Sequence, residues 1–169
     1  MIYPIVKYGD PVLEKPAAPI TSFDDELRKL VDDMFESMYA AHGVGLAAPQ
    51  IGISKRIAVI DVTFKEDPDA KIVLVNPEII HTEGKLTSTE GCLSLPEFRE
   101  NVTRPRKVTA RAQDLNGKTI EVTGEELLAR ALVHETDHLN GKLYLSHISA
   151  LKRDMLKRKV RKLIKQGEW

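Results

Sequence analysis

Residues 124–139, GEELLARALVHETDHL, predict an amphipathic helix, because apolar side chains recur at every third or fourth position. Thr123 and Glu126 match a capping box at the start of this helix, and Gly141 lies just past its end. Two neighbouring rows of side chains lead from apolar into polar residues: Leu127, Ala131, His134 and His138 form the first, and Leu128, Leu132, Glu135 and Leu139 form the second. We therefore expect this helix to lie in the interior and to bury its polar residues.

The polar end of the helix carries the pattern H-E-x-x-H, as His134-Glu135-Thr136-Asp137-His138. Residues four positions apart lie on the same helical face, so both imidazoles can face one metal ion. Glu135 is turned by about 100° from His134, so it can reach a water molecule beside the ion without binding the ion itself. This arrangement is typical of metallohydrolases. A chance occurrence on a surface helix is the alternative, and the inward position of the motif argues against it.

The flanking segments predict two more helices and several short strands. The N-terminal helix is expected at residues 23–42, with Ser22 as its N-cap, and the C-terminal helix from about Ser149 to Lys165. Strands are expected at residues 56–61, 72–75, 78–81, 107–113 and 119–123, and the last two flank a turn at Asn116-Gly117. The first twenty residues contain four prolines and predict an extended arm along the surface.

These elements predict an α+β fold in one domain of 169 residues. Short strands linked by turns favour mostly antiparallel pairing, packed around the central helix that carries the motif, with helices near both ends of the chain. The single cysteine, Cys92, excludes an intrachain disulfide and favours a reducing compartment. Neither a basic leader nor a long apolar run is present, so we expect a cytoplasmic protein without a membrane span.

A catalytic metal site with an open position needs a third protein ligand. In the pattern H-E-x-x-H-x-x-G-x-x-H a third His supplies it, but this chain has Tyr144 at that place, and the only Glu beyond the motif helix is Glu168, two residues from the end. Cys92, within Glu90-Gly91-Cys92-Leu93-Ser94, offers a thiolate, which is a strong ligand for zinc or ferrous iron. We therefore predict Cys92 as the third ligand, although a lone cysteine is more often a small buried apolar residue.

A third segment, Gly43-Val44-Gly45-Leu46-Ala47-Ala48-Pro49-Gln50, follows the first predicted helix. It lacks the G-K-[ST] ending of a phosphate-binding loop. Its glycines permit close approach of backbone to a metal site, and Gln50 can place an amide N–H at a reacting carbonyl. A purely structural turn is the equally weighted alternative for this segment alone.

The three segments together resemble peptide deformylase. They match the motifs G-Φ-G-Φ-A-A-x-Q, E-G-C-Φ-S and H-E-Φ-D-H of that family, in order and at similar separations, where Φ is a hydrophobic residue. Thr136 departs from the third motif, in which this position is usually apolar. The resemblance covers nearly the whole chain and is nearest to the compact form with a C-terminal helix.

The resemblance implies a metal-dependent hydrolase that removes the formyl group from the N-terminal formyl-methionine of new polypeptides and releases formate. It implies that one divalent ion is bound by Cys92, His134 and His138, and that Glu135 is the acid and base. The physiological ion of the family is commonly Fe²⁺, and Zn²⁺, Ni²⁺ or Co²⁺ can substitute.

The resemblance also implies how the substrate is held. Gln50 and the backbone N–H of Leu93 are expected to bind the developing oxyanion. Gly43, Val44 and Gly45 are expected to contact the substrate. The substrates would be N-formylmethionyl peptides and nascent chains, whose methionine side chain enters an apolar pocket.

The last twenty residues are strongly basic. Residues 150–169 contain eight Lys or Arg against two Asp or Glu, whereas residues 1–149 contain 17 basic and 23 acidic residues. A solvated helix face is one interpretation, and contact with ribosomal RNA, which the resemblance supports, is the other. Two other functions remain as alternatives: a zinc metallopeptidase, against which Tyr144 argues, and a non-catalytic ribosome- or RNA-binding protein with a structural metal.

Overall fold

The computed structural model describes all 169 residues and contains three helices and seven strands. In chain order these are α1 (Asp25–Ala40), β1 (Gly45–Ala47), β2 (Ile57–Ile60), β3 (Ile72–Glu83), β4 (Leu86–Cys92), β5 (Leu95–Arg104), β6 (Lys107–Gln113), β7 (Thr119–Glu125), α2 (Leu127–Leu139) and α3 (Ala150–Lys165). None of these helices has the length and apolar character that a membrane crossing requires.

Every strand pair is antiparallel. One sheet has the order β1-β2-β3-β6-β7, and β4 and β5 form a separate two-stranded hairpin. Helix α2 packs on the five-stranded sheet, with its motif residues buried as the two rows of side chains predict. The expected α+β fold, with mostly antiparallel strands around the motif helix and helices near both ends, is confirmed.

The five-stranded sheet lies between two helices. Side chains alternate between the faces of a strand, and accordingly Val59 and Val75 pack in one cluster with α1, whereas their neighbours Ile60 and Leu74 pack in another with α2. Both faces of the sheet are therefore buried at β1 and β2. Helix α2 is held against the sheet by burial of small and aliphatic side chains such as Ala129, Ala131 and Leu132.

A third apolar cluster supports the hairpin. Leu95 and Val102 of β5 pack with Leu156 and Val160 of α3, and Cys92 is partly buried against the same cluster. The C-terminal helix thus forms part of the scaffold beneath the hairpin that carries the cysteine, while its other faces are exposed.

The predicted N-terminal caps of α1 and α2 were wrong. Helix α1 is capped by Asp24, whose carboxylate accepts a hydrogen bond from Leu27 N at 3.0 Å, rather than by Ser22. The capping box at Thr123 and Glu126 does not form, because β7 continues to Glu125 and Glu126 takes a left-handed φ of 54° where the chain turns into α2. Helix α3 starts next to Ser149, as expected, and the Ser149 side chain caps it.

The strand predictions were incomplete. Segments 72–75 and 78–81 form one strand. Pro77 has no N–H to donate, but it lies where the pairing of β3 with β6 is irregular, between Val75 and Glu78, so no hydrogen bond between the strands is lost. The β4–β5 hairpin was not predicted, since β4 is mostly polar and the few apolar residues of β5 do not alternate regularly. The N-terminal arm is partly buried and includes a 3₁₀ turn at Pro11–Glu14 that buries Leu13 completely.

Candidate active site

Three segments that are distant in sequence converge at one end of α2. Helix α2 supplies His134, Glu135 and His138, which are all buried. The hairpin supplies Cys92 at the end of β4, and a 3₁₀ turn at Ala48–Ile51 supplies Gln50. The structure therefore brings the three predicted motifs into one site.

The three predicted ligands point their donor atoms at a common centre. His138 Nε2 lies 3.1 Å from His134 Nε2 and 3.4 Å from Cys92 Sγ, and all three donor atoms lie within 4.8 Å of one another. Tetrahedral coordination with bonds of about 2.0–2.3 Å places ligand atoms roughly 3.3–3.8 Å apart. The side chains of this group could hold a divalent ion with little movement.

The electrostatics of the site favour a cation. Burial alone lowers the pKa of His134, but the neighbouring Glu135 charge and the hydrogen bonds that His134 makes with Cys92 and Glu90 raise that pKa well above its usual value. Burial and the neighbouring His134 charge lower the pKa of His138, which leaves a neutral imidazole ready to donate electrons. The same groups that favour a proton on His134 would also stabilise a metal ion bound in its place.

Glu90 fixes the orientation of His134. Its carboxylate accepts a hydrogen bond from His134 Nδ1 at 2.7 Å, which leaves Nε2 as the electron-pair donor. The same carboxylate pairs with Arg104 Nη2 at 2.7 Å and with Arg130 Nη1 at 2.7 Å, and Arg104 also binds Asp137 at 2.8 Å. Because burial of an unpaired carboxylate would be costly, two buried guanidinium groups are needed to keep Glu90 charged.

Glu135 is the one buried carboxylate in the site without a charged partner. Its Oε1 has no hydrogen-bond partner, and burial raises its pKa to about 7. Gly45 of β1 makes room for it: a Cβ at that position would lie 2.4 Å from Glu135 Oε2. A carboxyl group with this pKa can both accept and return a proton near neutral pH.

Gln50 is locked in one orientation beside Cys92. Its Oε1 accepts a hydrogen bond from Ala47 N at 3.0 Å, so its amide nitrogen must point the other way. There Nε2 donates to Ser94 Oγ at 3.2 Å and lies 3.7 Å from Cys92 Sγ. Leu93, at the tip of the hairpin, follows the cysteine directly.

A cleft of about 670 Å³ opens onto these groups. The cleft is lined by residues 41–45, by residues 95–99 of β5, and by Glu135 and Cys92. Substrate can therefore approach between β1 and the hairpin.

Comparison with known proteins identifies this architecture. Residues 2–154 match the family model described as polypeptide deformylase. The chain belongs to the peptide deformylase family. It is 65% identical over its whole length to a peptide deformylase from Acidobacterium capsulatum, of which the alignment covers 99%.

Solved structures of other peptide deformylases have the same fold. The enzyme from Legionella pneumophila superposes with a TM-score of 0.90 at 47% identity, covering 99% of this chain and 98% of the other. The enzyme from Thermus thermophilus also gives 0.90, at 38% identity with the same coverage. This deformylase is thus a hydrolase that removes the formyl group from the N-terminal formyl-methionine of newly synthesised polypeptides, within a metal-dependent family.

The deformylase site contains charged residues that sequence reasoning did not identify. Glu90 was recognised only as part of a motif, and neither Arg104 nor Arg130 was predicted to have a role. No local pattern distinguishes a buried arginine from an exposed one, so only the fold reveals that these residues support His134. The departure at Thr136 has a local explanation, because its buried hydroxyl donates to Leu132 O at 2.7 Å within α2.

Proposed function

We propose that residues 1–169 form a single deformylase domain in which Cys92, His134 and His138 bind one divalent ion. The observation that carries this proposal is the convergence of one sulfur and two imidazole nitrogens within 4.8 Å beside a carboxylate that lacks a charged partner. When bound, such an ion supplies Lewis-acid chemistry, since it lowers the pKa of a nearby water and polarises the formyl carbonyl.

We infer that Glu135 is the catalytic acid and base. Its carboxylate accepts the proton of the attacking water, holds it while the water oxygen bonds to the formyl carbon, and passes it to the leaving amine. The unpartnered Oε1 and the raised pKa support this role, because the group can hold and release a proton near pH 7.

Gln50 Nε2 and the backbone N–H of Leu93 are assigned to the oxyanion that develops on the formyl oxygen. The locked amide of Gln50 supports this assignment, and the Leu93 N–H takes part in none of the turn, loop or cap hydrogen bonds. One preorganised donor of this kind contributes about 3–4 kcal/mol to transition-state stabilisation.

The substrate peptide is proposed to lie along Gly43, Val44 and Gly45. Beside this edge, Leu127 and Ala131 offer apolar surface for the methionine side chain, and both line the cleft. Gly45 packs tightly against Glu135, which leaves little space for a substituent on the carbonyl carbon of the substrate. A formyl group has only hydrogen there, so larger acyl groups would be excluded by size.

The ion in the cell is proposed to be Fe²⁺, with Zn²⁺, Ni²⁺ and Co²⁺ able to substitute. The donor set supports a borderline or soft first-row metal, because thiolate and imidazole select these ions over Mg²⁺ or Ca²⁺. Metal analysis of protein purified without oxygen tests this choice, and a preparation that holds only Mg²⁺ would contradict it.

Turnover of formyl-Met-Ala-Ser against Met-Ala-Ser, without oxygen and with Fe²⁺ or Ni²⁺ present, tests the proposed site. Formate should come from the first peptide only, and a chelator should abolish it. Glu135→Ala should keep the ion and lose nearly all turnover, whereas Cys92→Ala should lose the ion. Cleavage of a peptide bond would instead indicate a metallopeptidase.

We further propose that α3 contacts ribosomal RNA and that the enzyme works in the cytoplasm, where nascent chains are made. The exposed basic side chains of α3 support phosphate contacts, which weaken steeply with added salt. Lys159→Glu/Lys162→Glu should lower ribosome binding in a sedimentation assay. The matched control Lys85→Glu/Lys118→Glu makes the same change in net charge on the body and should bind normally, and equal binding by both variants would refute this contact.

A further inference from the structure

One wall of the cleft is an irregular segment of β5. Cys92 pairs with Leu95 and Gly91 pairs with Arg99, so residues 96–98 have no partners on β4 and form a bulge next to the cysteine. Glu97 within this bulge has a φ of 71°, a conformation that is strained for a residue with a side chain. Bulges beside active sites redirect side chains, and here the bulge brings Phe98 to the cleft.

The bulge is held from behind by Trp169. The Trp169 ring packs edge-on against Phe98, with centroids 5.9 Å apart and an interplanar angle of 66°. Trp169 Nε1 donates to Tyr8 O at 2.8 Å, and Lys7 Nζ donates to Trp169 O at 2.9 Å. These contacts fix the indole between the N-terminal arm and the bulge.

The same arm is bonded to both segments that flank the metal ligands. Tyr8 N donates to Ser94 O at 2.8 Å, and Val6 N donates to Gln50 O at 2.7 Å. Trp169 is therefore hydrogen-bonded to the N-terminal arm, which in turn is bonded to the hairpin tip and to the Gln50 turn. These bonds fix the position of the Trp169 ring, and the ring in turn fixes the position of Phe98.

We infer that Trp169 is a positioning residue that holds the bulge 96–98 in place and so sets the affinity for the peptide that follows formyl-methionine. The bulge lacks cross-strand pairing and contains a strained residue, so its placement depends on the packing behind it. This inference rests on the proposed cleft as the substrate site. Phe98 provides the surface that a substrate contacts, and Trp169 acts only through it.

The test compares Trp169→Ala with Trp169→Phe on two substrates, formyl-Met amide and formyl-Met-Ala-Ser. With alanine, KM for the longer peptide should rise roughly threefold to tenfold, the range expected for loss of one aromatic pair, while kcat stays within about twofold. KM for the amide should be unchanged. Phenylalanine keeps a ring against Phe98 but cannot donate to Tyr8 O, so it should restore KM for the longer peptide only in part. Equal changes for both substrates, or no change for either, would overturn the inference.

Wild-type turnover in the same assay separates this inference from the proposed function. If the wild-type enzyme releases no formate, the proposed site itself fails. If it releases formate but Trp169→Ala leaves KM for the longer peptide unchanged, only the role of Trp169 fails.

Fluorescence gives a readout that a merely structural role would not alter. Trp169 is the only tryptophan in the chain, so the emission reports on the surroundings of this one indole, which include Phe98 of the bulge. The product peptide Met-Ala-Ser should change this emission in a saturable way, and Phe98→Ala should remove the change. Constant emission at concentrations where the same peptide inhibits turnover would contradict the inference.

Discussion

Adding one methyl group at Gly45 should disable the catalytic carboxylate without disturbing the metal ligands. Gly45 lies in β1 with φ outside the left-handed region, so its backbone accepts alanine. The new Cβ, however, would lie 2.4 Å from Glu135 Oε2 and 2.9 Å from its Cδ. An ordinary contact is about 3.5 Å, so the carboxylate must retreat by about 1 Å.

The expected loss follows from this displacement. A misplacement of about 1 Å at a reacting group can lower the rate by about 10²-fold. The contact also overpacks a buried position, which costs roughly 1–3 kcal/mol of unfolding free energy. Gly45→Ala should therefore show kcat lower by about two orders of magnitude and a modestly lower midpoint of urea unfolding.

Gly43→Ala is the matched control. Its Cβ would meet Leu93 Cδ1 at 2.7 Å, the far end of a flexible side chain, and its three nearest atoms include none of Glu135. Formate release under anaerobic conditions and metal content per chain should be measured for both variants. Gly45→Ala should keep its metal and lose kcat, while Gly43→Ala should lose less than about tenfold. A Gly45→Ala enzyme with kcat within threefold of wild type would refute the assigned position and role of Glu135.

Three further outcomes concern stability and metal. Tyr144→Phe should leave the free energy of unfolding unchanged or raise it slightly, because the buried Tyr144 hydroxyl has no partner. Tyr39→Phe should lower it by about 1.5–3 kcal/mol, because it removes a donor from the Asp61 carboxylate. Urea unfolding of the two variants measures both effects, and equal losses would contradict this prediction. Burial alone raises the pKa of Asp61, but hydrogen bonds from Tyr39, Thr63 and Lys65 N lower it to about 2 from 3.8. The contribution of the Asp61 carboxylate to the free energy of unfolding is therefore complete above pH 4 and is lost as the pH falls towards 2. The loss of unfolding free energy that Asp61→Asn causes, measured in urea, should shrink over that window, and a loss that does not depend on pH would contradict this. Chelation should lower the thermal midpoint of the wild type but not that of Cys92→Ala, and equal shifts would show that the chelator acts elsewhere.

The helical parts of the fold could be predicted because their patterns are local. Helix α2 repeats apolar residues at helical spacing, and α3 has Ser149 as a clear cap, so both were placed to within a few residues. The hairpin could not be predicted in this way. Its strands are stabilised by polar cross-strand pairs such as Thr87 with Thr103 and Thr89 with Asn101, which leave no apolar period in the sequence.

The candidate site divides in the same way. His134, Glu135 and His138 follow from spacing on one helix, and Cys92 followed from the missing third ligand. The buried pairing of Glu90 with Arg104 and Arg130 joins residues 14 and 40 positions apart across three elements. Such pairs form only through the tertiary fold, so the sequence alone does not distinguish a buried, structurally essential charge from a solvated one.

The support of the cysteine hairpin by α3 has a consequence for the time at which the enzyme becomes active. Leu95 and Val102 pack against Leu156 and Val160, which the ribosome adds more than fifty residues later. Contacts of such long range form late in folding, and a chain made from its N-terminus has no α3 while its hairpin emerges. We expect the metal site to mature only after α3 has docked, so each new molecule begins work on the nascent chains of others.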